Sequence, residues 1–211
     1  VWRIDPGSLR YAEELGRLLA ELHAVPADEV AGTGLPVCSP EQVRQRWRRD
    51  LDTVCAELTV PEPARRRWLD WLADDGCWPR WSVLTHGELY PAHVLVDPDD
   101  RITGVLDWTT AEVGDPARDL AMQHALAPPA AFDRTLEVYR AAGGRVWPRL
   151  VEPRLVEPRL VEPRLVEPRL VEHCARLWST APIGYALFAP QTGDAAHRSA
   201  AQAGFDDLAP G

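Results

Sequence analysis

Lysine and asparagine are absent from the 211-residue sequence, so all 23 basic side chains other than histidine are arginine. Without lysine there is no P-loop ammonium on a phosphate. Nor is there a strand lysine of the kind kinase small lobes use, or a Schiff base. Without asparagine there is no N-glycosylation acceptor. Cysteine is scarce: Cys38, Cys55, Cys77 and Cys174 form no CxxC pair. In a chain with no basic segment followed by an apolar stretch at its start, such cysteines are expected to be buried thiols in a reducing cytoplasm. No apolar run approaches the roughly 20 residues of a membrane span, so no membrane partner is expected. Positive charge is in deficit as well, at 23 bases against 32 acids and a net charge of −9. That balance argues against a nucleic-acid partner, which would select a basic face.

What is present reads mostly as helix. Ser8 can cap a helix to about His23, with Leu15, Leu18, Leu19 and Leu22 at helical spacing and Pro26 as its stop. Ser39-Pro40-Glu41-Gln42 is a capping box with proline at the first helical position. Val43, Trp47, Leu51, Val54, Cys55 and Leu58 then share one face, which leaves Arg44, Arg46, Arg48 and Arg49 as an expected solvated face. Pro63 opens a helix through Trp68, Leu69, Trp71 and Leu72. From residue 82 the period changes to that of strands. Ser82–Thr85 is one strand, and Val94–Val96 and Ile102–Leu106 flank the turn Asp97-Pro-Asp-Asp-Arg101 as a hairpin. Further helices are expected over about Pro116–Leu126 and Ala130–Ala142, the second ended by Gly143-Gly144. The fold class is therefore mostly α with a small β-hairpin region (α+β).

Pro-Arg-Leu-Val-Glu occurs five times in tandem over residues 148–172. A five-residue period matches neither helix nor strand. Each internal proline costs a helix about 3 kcal/mol and pushes the preceding Glu toward extended backbone, so kinked, extended or disordered conformations are expected. The last copy differs. With Pro168 as the first helical residue, Leu170, Val171, Cys174, Leu177 and Trp178 lie on one face. The expected organisation is a core over 1–147, an insertion over 148–167, and closing helices of the same unit over 168–211.

The chemistry concentrates in Leu84-Thr-His-Gly-Glu-Leu-Tyr-Pro-Ala-His-Val-Leu-Val-Asp97, then Gly104-Val-Leu-Asp-Trp108 and Gly114-Asp-Pro-Ala-Arg-Asp-Leu-Ala121. If the hairpin turns about Asp100, His93 and Asp107 are equidistant from the turn and meet at its open mouth, beside His86-Gly87-Glu88. Two imidazoles and two carboxylates then converge. A loop carboxylate can take a proton from a substrate hydroxyl. An Asp at a strand end can hold Mg²⁺, which binds through few carboxylates plus phosphates. A zinc hydrolase built on His86, Glu88, His93 and Asp107 is the competing reading, but the Pro-Cys-x-x-Cys partner of zinc deaminases is missing.

These three stretches resemble the motifs of the antibiotic phosphotransferases, the aminoglycoside and macrolide kinases with a protein-kinase-like fold. His93 stands where the macrolide 2′-phosphotransferases carry histidine instead of asparagine. Tyr139–Pro148, Tyr185-Ala-Leu-Phe188 and the Leu19–Pro26 segment are similar to that subgroup as well. The resemblance implies the large C-terminal lobe of the kinase-like fold. It implies transfer of the γ-phosphoryl group of GTP or ATP to the 2′-hydroxyl of a macrolide sugar, with Mg²⁺. It places Asp107 and His93 on the metal and nucleotide phosphates, Glu88 at the family's catalytic aspartate, His86 as support for the loop, and Asp115 and Asp119 as structural acids. An aminoglycoside or other small-molecule kinase is the alternative within the family, and a truncated remnant that binds without phosphorylating is the alternative outside catalysis.

The sequence departs from the family in two ways. Glu88 carries an extra methylene, which moves the carboxylate by about 1 Å, a misplacement that can cost about 10²-fold in rate. No residue matches the family's small N-terminal nucleotide-binding lobe or its lysine, so that lobe is expected to be absent. A radiolabelled phosphotransfer assay on the 211-residue chain should accordingly show little or no turnover. Efficient turnover would overturn this expectation.

Overall fold

The computed structural model describes residues 4–147, 168–193 and 195–208. Four of the five pentapeptides, 148–167, and the expectation of kinked or extended chain there lie outside the described residues.

Helix α1 (Leu9–His23) starts where Ser8 Oγ accepts the Tyr11 amide, and it buries Tyr11, Leu15 and Leu19. A short α2 (Ala27–Val30) follows, which the sequence pattern did not announce. α3 (Pro40–Glu57) has both halves of the expected capping box, Ser39 and Gln42 each accepting the other's backbone N–H. α4 (Glu62–Ala73) buries Trp68, Trp71 and Leu72. The strands are short. β1 (Val83–Thr85) and β2 (Val94–Val96) match expectation, β2 pairing antiparallel with β3 (Ile102–Val105). The residues after Asp107 do not form a plain loop: a 3-10 turn at Trp108–Thr110 leads into β4 (Glu112–Gly114), which pairs antiparallel with β1. α5 (Ala117–Leu126) and α6 (Pro129–Ala141) come next, with Gly143 at φ 96 closing α6. Only glycine adopts that backbone without penalty. α7 (Pro168–Ser179) begins in the last pentapeptide as expected, and α8 (Ala181–Thr192) and α9 (Ala195–Asp206) complete the described chain.

Two expectations about exposed and buried faces are corrected. The α3 arginines are not all solvated. Arg46 makes a two-pronged pair with Glu112 across to β4, and Arg44 reaches the Leu72 carbonyl and Asp75. Glu112 is 4% exposed, and a buried carboxylate must be paired. Trp178, grouped with the buried face of α7, is 43% exposed, whereas Leu170 and Cys174 are fully buried. The α7 face is narrower than the sequence pattern suggested, and Trp178 lies at its edge.

The core gathers around tryptophan. Trp71, Trp78 and Trp147 enclose the His173 ring, with centroid separations of 5.4, 4.8 and 5.7 Å. Trp71 Nε1–H donates to His173 Nδ1 at 2.9 Å. The opposite nitrogen therefore carries the proton, and it donates to Asp115 Oδ2 at 2.6 Å. The four cysteines, all among the described residues, are free, and burial raises the thiol pKa of Cys77 to about 12. Among the described residues no helix is long and apolar enough to cross a membrane.

α1 and α6 approach closely because Gly16 has no side chain. A Cβ there would sit 2.6 Å from the Thr135 carbonyl oxygen. Helix propensity favours Ala over Gly by about 1 kcal/mol, but this backbone clash opposes it. Gly16→Ala should lower stability by about 1–3 kcal/mol, read from urea unfolding midpoints. A stabilised variant would mean that the helices separate at no cost.

Candidate active site

The site grows from the end of β1. Thr85 is buried, its hydroxyl donating to the Glu112 carbonyl across the β1–β4 pair. The chain then turns sharply at Gly87, φ 85. A Cβ there would lie 2.5 Å from the Thr110 carbonyl and 3.1 Å from the Arg118 guanidinium, so only glycine fits. The His86 and Gly87 amides donate to the two oxygens of Asp119, at 3.0 and 2.7 Å.

His86 lies beneath this loop, fully buried. Its Nε2–H donates to the Leu106 carbonyl at 2.8 Å, and Nδ1 accepts the Glu88 amide at 3.3 Å. Both ring nitrogens are engaged, so the ring braces the loop against the end of the hairpin. That engagement takes His86 out of the competing zinc constellation. Glu88, in contrast, is exposed and lines the cleft described below.

The hairpin register differs by one residue from a turn centred on Asp100. Val94 faces Val105, an irregularity falls between Leu95 and Val96, and the His93 carbonyl accepts the Leu106 amide at 2.8 Å. His93 nevertheless meets Asp107, with Nε2 3.7 Å from Oδ2. The compensating feature is the left-handed backbone of Asp107, φ 59, which aspartate tolerates better than most residues. His93 Nδ1 lies 2.9 Å from the Glu88 carbonyl, which can only accept. In neutral His93 the proton is therefore on Nδ1, and the Nε2 lone pair faces Asp107. Hydrogen bonds from the Thr109 hydroxyl and then the Thr109 amide hold the Asp107 carboxyl below its ordinary pKa.

Glu88, His93 and Asp107 thus open onto one cleft of about 740 Å³. Trp178, Tyr185 and Phe188 also line it, exposed by 43, 49 and 47%. Arg118 lines it too, held by Glu112, which Arg46 holds in turn. Sequence reasoning missed this Arg46–Glu112–Arg118 chain and the role of Trp178. An available signal was α8, apolar around its whole circumference between Ala181 and Ala189, which leaves Tyr185 and Phe188 for something other than the core. Asp115 and Asp119 are buried and bonded internally, as structural acids would be. Among the described residues no group of three or more His, Cys, Asp or Glu is arranged to hold a metal ion alone. A site completed by one or two carboxylates and a ligand's phosphates needs fewer.

Since the Thr109 hydroxyl is the first cause of the Asp107 shift, Thr109→Val should raise the Asp107 pKa toward the ordinary carboxylate range. Titration of its carboxyl carbon by NMR checks this, and an unchanged or lower value would remove Thr109 as the cause.

Comparison with known proteins matches these elements. The model of the APH phosphotransferase enzyme family covers residues 4–152. The structure of macrolide 2′-phosphotransferase MphH from Brachybacterium faecium superposes with a TM-score of 0.83 at 50% identity, over 97% of this chain and 63% of that one. Macrolide 2′-phosphotransferase type I gives 0.84 at 36% identity, over 100% of this chain and 62% of that one. An uncharacterised Bacillus subtilis (strain 168) protein, YcbJ, is 38% identical over 154 residues, 72% of this chain and 50% of its own length. The chain therefore spans between half and two thirds of the length of these three relatives, and its helices and paired short strands are the helical lobe of a protein-kinase-like fold. With more than half of its residues inside the family model and the three motifs gathered at one cleft, the chain belongs to the APH phosphotransferase enzyme family.

Proposed function

We propose that this chain carries the catalytic loop and acceptor cleft of an antibiotic kinase that moves the γ-phosphoryl group of GTP or ATP to the 2′-hydroxyl of a macrolide sugar. The observation that carries the reading is the two-sided cleft: Glu88, His93 and Asp107 line it together with Trp178, Tyr185 and Phe188. The aromatic side chains suit the large apolar ring of a macrolide, and the polar ones suit the hydroxyl and the phosphates. Identity of 50% to MphH supports the macrolide over an aminoglycoside as acceptor.

In this reading the Glu88 carboxylate orients the sugar hydroxyl and takes its proton as the oxygen attacks phosphorus. Phosphoryl transfer depends chiefly on positioning and on electrostatic stabilisation. Positioning falls to the braced loop: His86 holds its base, Gly87 allows its turn, and Asp119 holds two of its amides. Asp107 and the inward lone pair of His93, 3.7 Å apart, fit two ligands of one Mg²⁺. When bound, that ion would neutralise charge on the phosphates. The Thr109 hydrogen bonds, which favour the ionised form of Asp107, suit this role. Glu88 in place of aspartate, and a chain without lysine, support slow transfer.

Isothermal titration of the 211-residue chain with erythromycin tests the acceptor half. Binding is expected, and Trp178→Ala should weaken it about 10- to 100-fold, the value of burying a large apolar side chain. No binding, or an unaffected variant, counts against the macrolide reading. Radiolabelled GTP and ATP test the other half. Glu88→Ala should abolish whatever transfer the chain supports, and Glu88→Asp should increase it. Binding without transfer in every variant would favour the non-catalytic reading, a protein that retains the antibiotic without modifying it.

A further inference from the structure

We propose that His23 is a positioning residue for the His86–Glu88 loop and acts through the Asp119 carboxylate. His23 is the last residue of α1, far from the three motifs in sequence, and its side chain is 2% exposed. Its Nε2 lies 3.2 Å from Asp119 Oδ2, and its Nδ1 lies 2.8 Å from the Tyr139 hydroxyl. That hydroxyl also points to the Arg145 carbonyl, at 3.3 Å. The hydroxyl proton can go to Nδ1 or to Arg145. In either arrangement His23 Nε2–H donates to Asp119, because an ionised carboxylate only accepts.

Asp119 is 0% exposed. Its charge is stabilised by three donors: the Gly87 amide at 2.7 Å, the His86 amide at 3.0 Å and His23 at 3.2 Å. A buried carboxylate is stable only when such donors are in place, and charge-assisted bonds are the strong ones. Two of the three are the amides that set the backbone just before Glu88. The third comes from an element that enters the site nowhere else. Losing His23 leaves a buried oxygen short of a donor, and the carboxylate then turns toward another one. That turn loosens its hold on Gly87, whose left-handed backbone places Glu88 at the cleft. Tyr139 completes the arrangement from the other side, its ring edge-on to His23 at 5.5 Å. A catalytic group held by a loop needs a supporting shell of this kind to stay in position.

The proposal rests on Glu88 being the catalytic carboxylate, but its test observes the loop itself. Amide resonances of the ¹⁵N-labelled 211-residue chain are followed in the wild type, His23→Phe, His23→Gln and Tyr139→Phe. In His23→Phe, which keeps a ring and removes the donor, the His86 and Gly87 amides should shift upfield and exchange with D₂O at least 10-fold faster. Amides of α9 around Ala201 and Phe205 should not change. His23→Gln, which restores an N–H donor, should return the two amides toward wild type. Tyr139→Phe should move them in the same direction as His23→Phe, by less. A folded His23→Phe protein with both amides unmoved overturns the proposal. If that variant does not fold, unmoved amides in Tyr139→Phe overturn it. Loss of transfer in Glu88→Ala is a separate result, so failure of the functional reading and failure of the His23 linkage are distinguishable.

Discussion

Two buried carboxylates at the start of α5 hold this lobe together. Asp115 and Asp119 are one helical turn apart and essentially without solvent. Each must collect donors from elsewhere in the chain, and those donors define the architecture. Asp115 takes its bond from His173, which draws α7 into the tryptophan cluster. Asp119 takes His23 from α1 and two amides from the loop after β1. Helices α1 and α7, from either side of α5 in the chain, therefore meet at its start. Asp119 in the first turn of α5, and Asp115 just before it, also set their charge against the positive end of the helix dipole. Leaving either carboxylate unpaired costs on the order of several kcal/mol, so each of these contacts stabilises the closed lobe.

That turn is also where stability and chemistry join. The loop held by Asp119 carries Glu88, and the same loop contacts the hairpin through His86 and His93. The hairpin ends at Asp107, which its own left-handed backbone and Thr109 orient. Polar groups with fixed donors thus line part of the cleft, and Trp178 of α7 with Tyr185 and Phe188 of α8 line it beside them with exposed rings. A site of this form separates two tasks. Hydrogen-bonded groups fix the polar side of the cleft, and exposed rings supply its apolar area.

The helices and the hairpin were legible because their signals are local. Ser8 and the Ser39–Gln42 box cap helices within one turn, and leucine spacing marks the buried face of α1. The start of α7 at Pro168 followed from proline's fit to the first turn and from the spacing of Leu170 and Cys174. The three motifs at the site were legible from a family resemblance, and residues 4–152 match the family model. β4 was not legible, since Glu-Val-Gly shows no alternation and is extended because β1 pairs with it on one side and Pro36–Cys38 bond to Val113 on the other. Arg46 and Trp178 were misread for a related reason. The α3 arginines share one local pattern, and only Glu112 on a distant strand separates Arg46 from the others.

The sequence alone determined the helical character and the residue types available for chemistry, with arginine as the cation besides histidine within these 211 residues. It also determined that His93 and Asp107 would lie near each other, since a short hairpin leaves little freedom at its mouth. Tertiary structure decided which nitrogen of His86, His93 and His173 carries a proton, which arginines are bound, and that Trp178 lines the cleft while His23 lies within the core. These properties depend on donors and acceptors separated by up to 116 residues, as between His23 and Tyr139. No local pattern encodes such a pairing. It arises when burial removes water and each remaining polar group must find its partner within the protein.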